Sequence, residues 1–432
     1  MTDQISVLPL DLWARVFKEL EPKPGTIKGT PGTPEWDWCP VMLKAQTSFW
    51  QLPLVCKGFC NVFRTHPELG HHILLDKGKF NTRSQQIAAS LVPWLEVRAA
   101  VVKTFHANGW SLDLVKYLRA LQHQSSGLTV IELRTIHKHE VICLSSFTAL
   151  TSCCLHSSCH QDTVDLTPLQ GLQMLTKLAL NRGCYISLSS LSHLTDLDLN
   201  RAQVYDSGYS TFASNLIHLK MQTSGLDKLH AQGLMACIAL QSFEISEDCT
   251  ISANDWVDFL DTSMTASGEV RPFPDFSSLA DFSSLACLTT LRLSLRSHSQ
   301  PLCGLGTLPC LQSLHLVVAG PVDISPAFER LNKLTNLYVG TVERIILPYK
   351  ECVSFSLDWQ ALLELRQLEI RCFFSAGSFF MNLARLSYLR CLKLEEADPA
   401  NGESSWYLKS LCSKMMSDHP EMLCEYPENF NF

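Results

Sequence analysis

The most constraining feature of this 432-residue chain is one short pattern, Leu-x-x-apolar-x-apolar, which recurs eleven times. Successive copies start 19 to 31 residues apart, except for one interval of 48 residues that equals two periods. A chain of this kind stacks similar units in a row instead of dividing into several compact domains. The copies are LTVIEL (128–133), LTSCCL (150–155), LTKLAL (175–180), LTDLDL (194–199), LIHLKM (216–221), LQSFEI (240–245), LTTLRL (288–293), LQSLHL (311–316), LTNLYV (334–339), LRQLEI (365–370) and LRCLKL (389–394).

The spacing inside each copy predicts a short strand. Side chains alternate across a strand, so the apolar pair points inward and the residue between them points outward. A single unit buries little, and neighbouring units must therefore share a core and pair their strands in parallel. An amphipathic helical array is the alternative, but apolar residues at i and i+2 suit a strand better than a helix face. We expect an α/β chain, with parallel strands on the concave side of a curved solenoid and helical or irregular return segments.

The copies resemble leucine-rich repeats, whose period is about 20 to 29 residues. The resemblance covers residues from about 125 to 397 and implies about 12 repeats. An apolar residue three positions before the pattern supports it, and this residue occurs at Phe147, Leu172, Leu191, Leu285, Leu308, Leu331, Leu362 and Leu386. The Asn or Cys that the family often carries after the strand is missing here, so we expect irregular turns.

One interval between copies contains a direct duplication, DFSSLA at 275–280 and again at 281–286. We interpret the surrounding segment, 250–284, as a tolerated convex loop with a helix at 254–260. A functional loop is the alternative, since insertions in solenoids often lie at binding faces.

The outward residues of the strands are predicted to form a recognition surface. Both charge signs occur among them, and no basic stripe forms. Together with the net charge of −7, this disfavours nucleic acid as a partner. A polar surface with scattered aromatic and Arg side chains suits a protein ligand. The residues predicted to face a protein substrate are Asp198, Lys220, Glu244, Arg292, His315, Tyr338, Glu369 and Lys393, and the corresponding residues of the first three copies are Glu132, Cys154 and Ala179.

Two amphipathic helices are predicted ahead of the repeats, VLPLDLWARVFKEL (7–20) and FWQLPLVCKGFCNVF (49–63). These residues resemble an F-box, the helical module by which substrate receptors dock on the Skp adaptor of a cullin-RING ubiquitin ligase. The likeness covers about residues 5–75, interrupted by a Pro/Gly-rich insertion at 21–47 that is predicted to be a mobile loop. Under this resemblance the adaptor-binding residues are Leu8, Pro9, Leu12, Trp13, Val16, Phe17, Leu54, Val55, Cys56 and Phe59.

The resemblance implies a substrate-recognition subunit that binds a Skp adaptor, and through it a cullin, while the repeats bind a protein substrate. The alternative is a protein-interaction scaffold without a ligase role, in which the first helices only cap the solenoid. Residues 76–124, with helices expected at 84–102 and 111–122, are interpreted as a linker and N-terminal cap. Residues 398–432, with an amphipathic stretch at 406–416, are interpreted as the C-terminal cap.

The 18 cysteines are interpreted as reduced thiols, because no C-x-x-C pair and no secretion signal occur. Their densest cluster comprises Cys153, Cys154, His156, Cys159 and His160, and its spacing fits no standard zinc module. The repeat pattern places Cys153 in the core without a metal, so we expect no metal site.

No membrane span is predicted, and we expect a cytoplasmic or nuclear chain. The sequence contains no P-loop, no H-E-x-x-H and no G-x-S-x-G motif. The near miss Gly304-x-Gly306 has Pro309 where a dinucleotide loop needs its third glycine. We therefore expect a binding protein that is not an enzyme and carries no cofactor.

Overall fold

The fold was established from a computed structural model. It describes residues 72–76, 92–93, 95–96, 99–108, 114–122, 127–157, 164–181, 184–186, 191–200, 202–204, 213–223, 236–247, 284–295, 303–318, 328, 330–341, 362–371, 386–395, 410, 413–417 and 419–425. The chain divides into two compact units, and the boundary falls within one strand. The first unit comprises Met1–Leu194 and Asp198–Asp206, and the second comprises Thr195–Leu197 and Ser207–Phe432.

Parallel strands dominate the first unit. Its main sheet has the order β1-β2-β3-β4-β6-β8, and a smaller parallel sheet has the order β5-β7-β9. The strands are β1 (His72–Asp76), β2 (Thr104–Asn108), β3 (Val130–Ile136), β4 (Ser152–Ser157), β5 (Val164–Asp165), β6 (Lys177–Leu180), β7 (Cys184–Ile186), β8 (Asp196–Asn200) and β9 (Gln203–Val204).

The second unit continues the same construction, with strands that pair in parallel in chain order. Parallel neighbours cannot be joined by a hairpin, so each strand is followed by a return segment before the next one begins. The strands are β10 (His218–Thr223), β11 (Ser242–Glu247), β12 (Thr290–Leu295), β13 (Ser313–Val318), β14 (Asn336–Thr341), β15 (Gln367–Arg371), β16 (Cys391–Glu395) and β17 (Leu423–Glu425).

Helix is sparse in the described part of the chain. Helix α1 (Leu114–Gln122) and helix α2 (Lys138–Leu144) belong to the first unit, and residues 413–417 of the second unit are also helical. Single 3-10 turns occupy Thr167–Gly171, Ala213–Asn215 and Cys303–Thr307. The last of these contains Gly304 and Gly306, so the near-miss glycine motif forms an ordinary return turn.

The leucine pattern is confirmed as a strand pattern. All eleven copies contain a strand, and the described residues at the three apolar positions of the pattern are buried in every copy. The first Leu of each copy is at most 4% exposed, and so is the earlier apolar residue at each of the eight predicted positions. In the copy that starts at Leu240 that earlier position is Cys237, whose burial raises the pKa of its thiol to about 12. Leucines therefore line one shared core, as the repeat pattern requires.

Six strands were not predicted, namely β5, β7 and β9 of the smaller sheet and also β1, β2 and β17. The last three do not follow a Leu-x-x leader, yet β2 shows the same alternation: Phe105 and Ala107 are buried and lie in register with Ile131 and Leu133 of β3. Residues 76–124 were predicted as a helical linker and cap. Helix α1 lies within them, but Thr104–Asn108 is a strand of the sheet.

Threonine side chains just before several strands donate hydrogen bonds to the preceding repeat, and we call this series the threonine ladder. The Thr151 hydroxyl donates to the backbone carbonyl of Thr129 at 3.1 Å, and the Thr176 hydroxyl donates to that of Thr151 at 3.2 Å. Thr289 and Thr335 make the same bond in the second unit, to the carbonyls of Gln241 and Gln312 at 3.0 Å. The recurrent Leu-Thr dipeptide of the pattern thus supplies a side-chain hydrogen bond to the repeat before it.

Several predictions lie outside the described residues. They are the F-box-like helices at 7–20 and 49–63, the insertion at 21–47, the helix at 254–260 and most of the duplicated segment. No helix in the described part is long and apolar enough to cross a membrane. The expected irregularity is visible between β3 and β4, where the register shifts between Leu133 and Ile136.

Candidate functional site

A row of side chains crosses the second unit on the face of the sheet that points away from the leucine core. We call this the polar face, defined by the residue between the two inward side chains of each strand. Neighbouring strands hold these residues in direct register, about 4.8 Å apart. The structure thus brings seven predicted substrate-facing residues into one line, while their role in binding stays a prediction. In strand order they are Lys220, Glu244, Arg292, His315, Tyr338, Glu369 and Lys393.

Charged members of this row pair with one another across the strands. Glu244 accepts ion pairs from Lys220 at 3.1 Å and from Arg292 at 3.7 Å. At the other end, Lys393 pairs with Glu369 at 3.3 Å. These residues are half-buried or exposed, so each pair contributes at most about 1 kcal/mol to stability. Their main effect is to hold charged groups at fixed places on an accessible surface.

The centre of the row is aromatic. The rings of His315 and Tyr338 stack with centroids 3.9 Å apart and planes 4° from parallel. Gly340, two residues after Tyr338 on the same face of β14, makes room for the tyrosine ring. A Cβ at Gly340 would lie 2.8 Å from Oη and 2.9 Å from Cε1 of Tyr338. A glycine is therefore required beneath this ring.

The environment keeps the His315 imidazole neutral. Partial burial lowers its pKa, and the positive charge of Arg292 lowers it further, while Glu244 opposes the shift. A neutral imidazole can both donate and accept a hydrogen bond. His315 thus offers a partner a different chemistry from the cations at either end of the row.

A cavity of about 580 Å³ opens at the edge of the second unit where the strands begin. Three cations, Lys333, Arg366 and Arg390, line it together with one carboxylate, Glu364. None of the four charged residues of this cavity was singled out from the sequence, because they come from three repeats and precede the strands. Its excess of positive charge suits a carboxylate of a ligand.

The polar face of the first unit is different in character. Register places His106, Glu132, Cys154 and Ala179 side by side on β2, β3, β4 and β6. Glu132 was predicted to project into solvent, but it is only 4% exposed. The prediction of an exposed carboxylate is wrong, because His106 and Arg134 cover it. Asp198, another predicted substrate-facing residue, also belongs to this unit and is half-buried.

Both oxygens of the Glu132 carboxylate have partners. Oε2 lies 3.0 Å from Nδ1 of His106, and Oε1 accepts a hydrogen bond from Nε of Arg134 at 3.3 Å. Burial alone would raise the pKa of this carboxyl group. The hydrogen bond and charge of His106, together with Arg134, outweigh burial and hold the pKa below its usual value. Glu132 is therefore a buried carboxylate at neutral pH.

Next to Glu132 lies a chain of three polar side chains, Cys154, His156 and Asn181. The Cys154 sulfur is 3.3 Å from Nε2 of His156, and Nδ1 of His156 is 2.7 Å from the Asn181 amide. Burial lowers the pKa of His156, so its ring is neutral. Burial raises the pKa of the Cys154 thiol well above its usual value, and Glu132, Cys153 and Asp198 add to that rise.

One ligand atom each from Glu132, Cys154 and His156 lie within 4.8 Å of one another. The cysteine-histidine cluster that is visible in the sequence thus gains a carboxylate from the preceding repeat. Cys153 points to the core and is 1% exposed, as predicted, while Cys159 and His160 lie outside the described residues. The nine cysteines whose side chains the structure describes are free thiols.

None of the residues predicted to bind a Skp adaptor lies among the described residues. Their grouping on one surface therefore stays a prediction. The ordered strand ladder with its buried leucines is the architecture of a leucine-rich-repeat solenoid.

Comparisons with solved structures return leucine-rich-repeat proteins at low identity. The chain matches TLR13 in a complex with ssRNA13 at 18% identity and a TM-score of 0.48, over 77% of this chain and 44% of TLR13, so it spans less than half the length of that chain. It matches internalin F of Listeria monocytogenes at 16% identity and a TM-score of 0.44, over 80% of this chain and 95% of the internalin. A leucine-rich-repeat protein of Leptospira interrogans matches at 13% identity and a TM-score of 0.35, over 84% and 97% of the two chains. No family model matches the sequence, and no curated protein matches it.

Proposed function

We propose that this protein is a leucine-rich-repeat interaction scaffold that binds a protein partner on the polar face of its second unit. The observation that carries the proposal is the registered row from Lys220 to Lys393, because it presents seven accessible side chains at fixed spacing. Side chains already held by neighbours lose little conformational entropy when they bind, which favours association.

The pattern of charge supports a protein as the partner. One end of the row carries a cation, an anion and a cation, namely Lys220, Glu244 and Arg292. The other end carries an anion and a cation, Glu369 and Lys393. Phosphate backbones require surfaces dominated by positive charge, and this row alternates in sign. A protein segment with complementary alternating charges matches it, while the basic cavity beside the strands can accept a further carboxylate.

The His315 and Tyr338 stack supplies an anchor in the middle of the row. Tyrosine is among the residues that dominate binding energy at protein interfaces, and such residues cluster near the centre. The stack is rigid because Gly340 leaves room for the ring and His315 supports its face. We expect a partner to cover this pair.

The test begins with crosslinking of the full chain in cells and identification of bound proteins by mass spectrometry. Binding of the leading partner is then measured with purified components for wild type, Tyr338→Ala and Tyr388→Ala. Tyr388 is 63% exposed and lies outside the row, which makes it a matched control. We expect at least tenfold weaker binding for Tyr338→Ala only. Equal affinities for both variants would contradict the proposal.

A finer proposal is that the scaffold is a substrate receptor of a cullin-RING ubiquitin ligase, acting in the cytoplasm or nucleus. Its support is the resemblance of residues 5–75 to an F-box, which rests on the sequence alone. In this role the repeats would hold a substrate near the ubiquitin-transferring enzyme and raise its effective concentration.

The finer proposal is tested by gel filtration of the chain with a purified Skp adaptor. Co-elution is expected, and it should be lost when Leu8, Pro9 and Trp13 are all changed to Ala. A variant with Arg15→Ala and Glu19→Ala, which lie off the apolar face of the same predicted helix, serves as the control. If no complex forms, the ligase role fails while the interaction scaffold stands.

A further inference from the structure

We propose that Glu132, Cys154 and His156 form a binding site for one transition-metal dication of the zinc class. The site is separate from the row in the second unit and does not depend on the proposed partner. Glu132 and Cys154 are register neighbours on β3 and β4, and His156 follows Cys154 by two residues, so all three point to one face. Their ligand atoms lie within 4.8 Å of one another.

The donor set favours zinc or cobalt over magnesium or calcium. A thiolate and an imidazole are ligands of borderline and soft metals, whereas magnesium and calcium prefer oxygen. Zinc bond lengths correspond to about 3.5 Å between neighbouring ligand atoms in a tetrahedral site. The Cys154 and His156 atoms are 3.3 Å apart. The Glu132 carboxylate, whose ligand atom lies within 4.8 Å of both, therefore has to approach by at most about 1.3 Å. Three protein ligands leave the fourth position for a water molecule.

The neighbours of the three ligands resemble an outer shell that orients them. Nδ2 of Asn181 lies 2.7 Å from Nδ1 of His156. A flip of this amide would turn its oxygen to that nitrogen, where it would accept the Nδ1 proton and leave the Nε2 lone pair facing the Cys154 sulfur. His106 holds one oxygen of Glu132 in place. Arg134, which binds the other oxygen, has to give way if that oxygen becomes the ligand.

The local charges favour a cation. Burial is the largest cause of the raised pKa of the Cys154 thiol, and the negative charges of Glu132 and Asp198 raise this pKa further. When the metal binds, the sulfur-metal bond forms as the thiol proton passes to solvent, and the dication offsets the charges of the thiolate and Glu132. Arg134 contributes the opposing charge, and its Nε lies 3.3 Å from Glu132.

A cysteine nucleophile is the competing use of the same groups, because Cys154, His156 and Asn181 lie in the order that thiol enzymes use. Such an enzyme needs a thiolate stabilised by positive charge. Here burial is the largest cause of the raised pKa of the thiol, and the charges of Glu132 and Asp198 raise it further against the smaller effect of Arg134, so a metal-free thiolate is disfavoured. The arrangement therefore suits a metal ligand better than a nucleophile.

The test uses the full chain and cobalt as a spectroscopic probe. Titration with Co²⁺ should give one equivalent with thiolate-to-cobalt charge-transfer absorption, and Zn²⁺ should displace it. Cys154→Ser should remove that equivalent, and Glu132→Gln and His156→Asn should weaken it at least tenfold. Asn181→Ala should weaken it by about 10- to 100-fold. Cys287→Ser, at an exposed cysteine of the second unit, is the matched control and should change nothing.

A second measurement covers the case in which a variant fails to fold. In the wild type, mass spectrometry follows alkylation of Cys154 and Cys287 with and without Zn²⁺. Stoichiometric Zn²⁺ should slow alkylation of Cys154 at least tenfold relative to Cys287. Rapid alkylation of Cys154 that Zn²⁺ does not slow would overturn the proposal in favour of a nucleophilic thiol. A cobalt spectrum that is unchanged by Cys154→Ser would overturn it as well.

Discussion

The ring of Tyr338 stacks on the ring of His315 on the neighbouring strand, with the two ring centroids 3.9 Å apart. The tyrosine ring also lies against Gly340, which has no side chain. Three residues from two repeats thus define the centre of the polar face. The stack depends on the space that Gly340 leaves as well as on the attraction between the two rings, because a Cβ at Gly340 would lie too close to the tyrosine ring.

Replacement of Gly340 by Ala should break this stack. The new methyl group would displace the Tyr338 ring, with a loss of about 0.5 to 1.5 kcal/mol of aromatic contact. The ring-current shift of the His315 protons in NMR spectra reports the stack directly and should disappear. Gly171→Ala is the control, because beyond its chain neighbours no atom lies within 4 Å of the place that a Cβ would take there. Retention of the His315 shift in Gly340→Ala would show that the ring has another way to fit.

The lowered pKa of His315 predicts a specific dependence of stability on pH. In the unfolded chain the imidazole gains a proton near about pH 6.5, whereas in the folded chain it does so only at lower pH. Stability should therefore be lost as pH falls below about 6.5, because the unfolded state binds more protons. His315→Gln should flatten this dependence in thermal melts between about pH 5 and 8. His193→Gln, at an exposed histidine, provides a comparison. A variant curve parallel to that of wild type would count against the shift.

The threonine ladder should contribute measurably to stability. Thr151→Val keeps the shape of the side chain but removes the donor to the Thr129 carbonyl, which should cost about 0.5 to 1.5 kcal/mol of unfolding free energy. Thr148→Val, in an exposed turn of the same repeat, is the matched substitution and should have a smaller effect. Urea denaturation followed by circular dichroism measures both. Equal losses would mean that the ladder bond is not the cause.

The core prediction concerns Phe243 on β11. This side chain is fully buried and lies in register between Leu219 and Leu291. Phe243→Ala should leave a cavity and cost about 3 to 5 kcal/mol. Ile238→Ala in the same repeat removes a side chain that is 58% exposed and should be nearly neutral. Thermal unfolding of the two variants distinguishes a shared leucine core from a loosely packed one.

The strand pattern was predictable because its information is local. Alternation within six residues is enough to place Leu291 and Leu293 inward and Arg292 outward, and the described inward residues are buried in every copy. The strands β1, β2 and β17, and the short strands β5, β7 and β9 of the smaller sheet, were missed because they lack the leucine leader. Their places come from pairing with neighbouring strands, which a search for the leader cannot find.

The two candidate sites were predictable to different degrees. The members of the row in the second unit follow from alternation, but their pairing does not. Burial of Glu132 was missed because its cover comes from His106 in the preceding repeat. The sequence likewise did not reveal that a carboxylate joins the cysteine and histidine cluster. Glu132 and Cys154 are 22 residues apart in sequence and become neighbours only through strand register.

By itself, the sequence determined that this chain is a solenoid of leucine-rich repeats, and which side chains enter its core. A recurring leucine followed by apolar residues at i and i+2 favours a strand over a helix face, and one such strand buries too little unless it shares its core with neighbouring repeats. Only the tertiary structure decided that Tyr338 meets His315 and that Glu132 meets Cys154 and His156. These meetings depend on strand register across return segments of unequal length, and so they are properties of the stacked repeats and not of any single one.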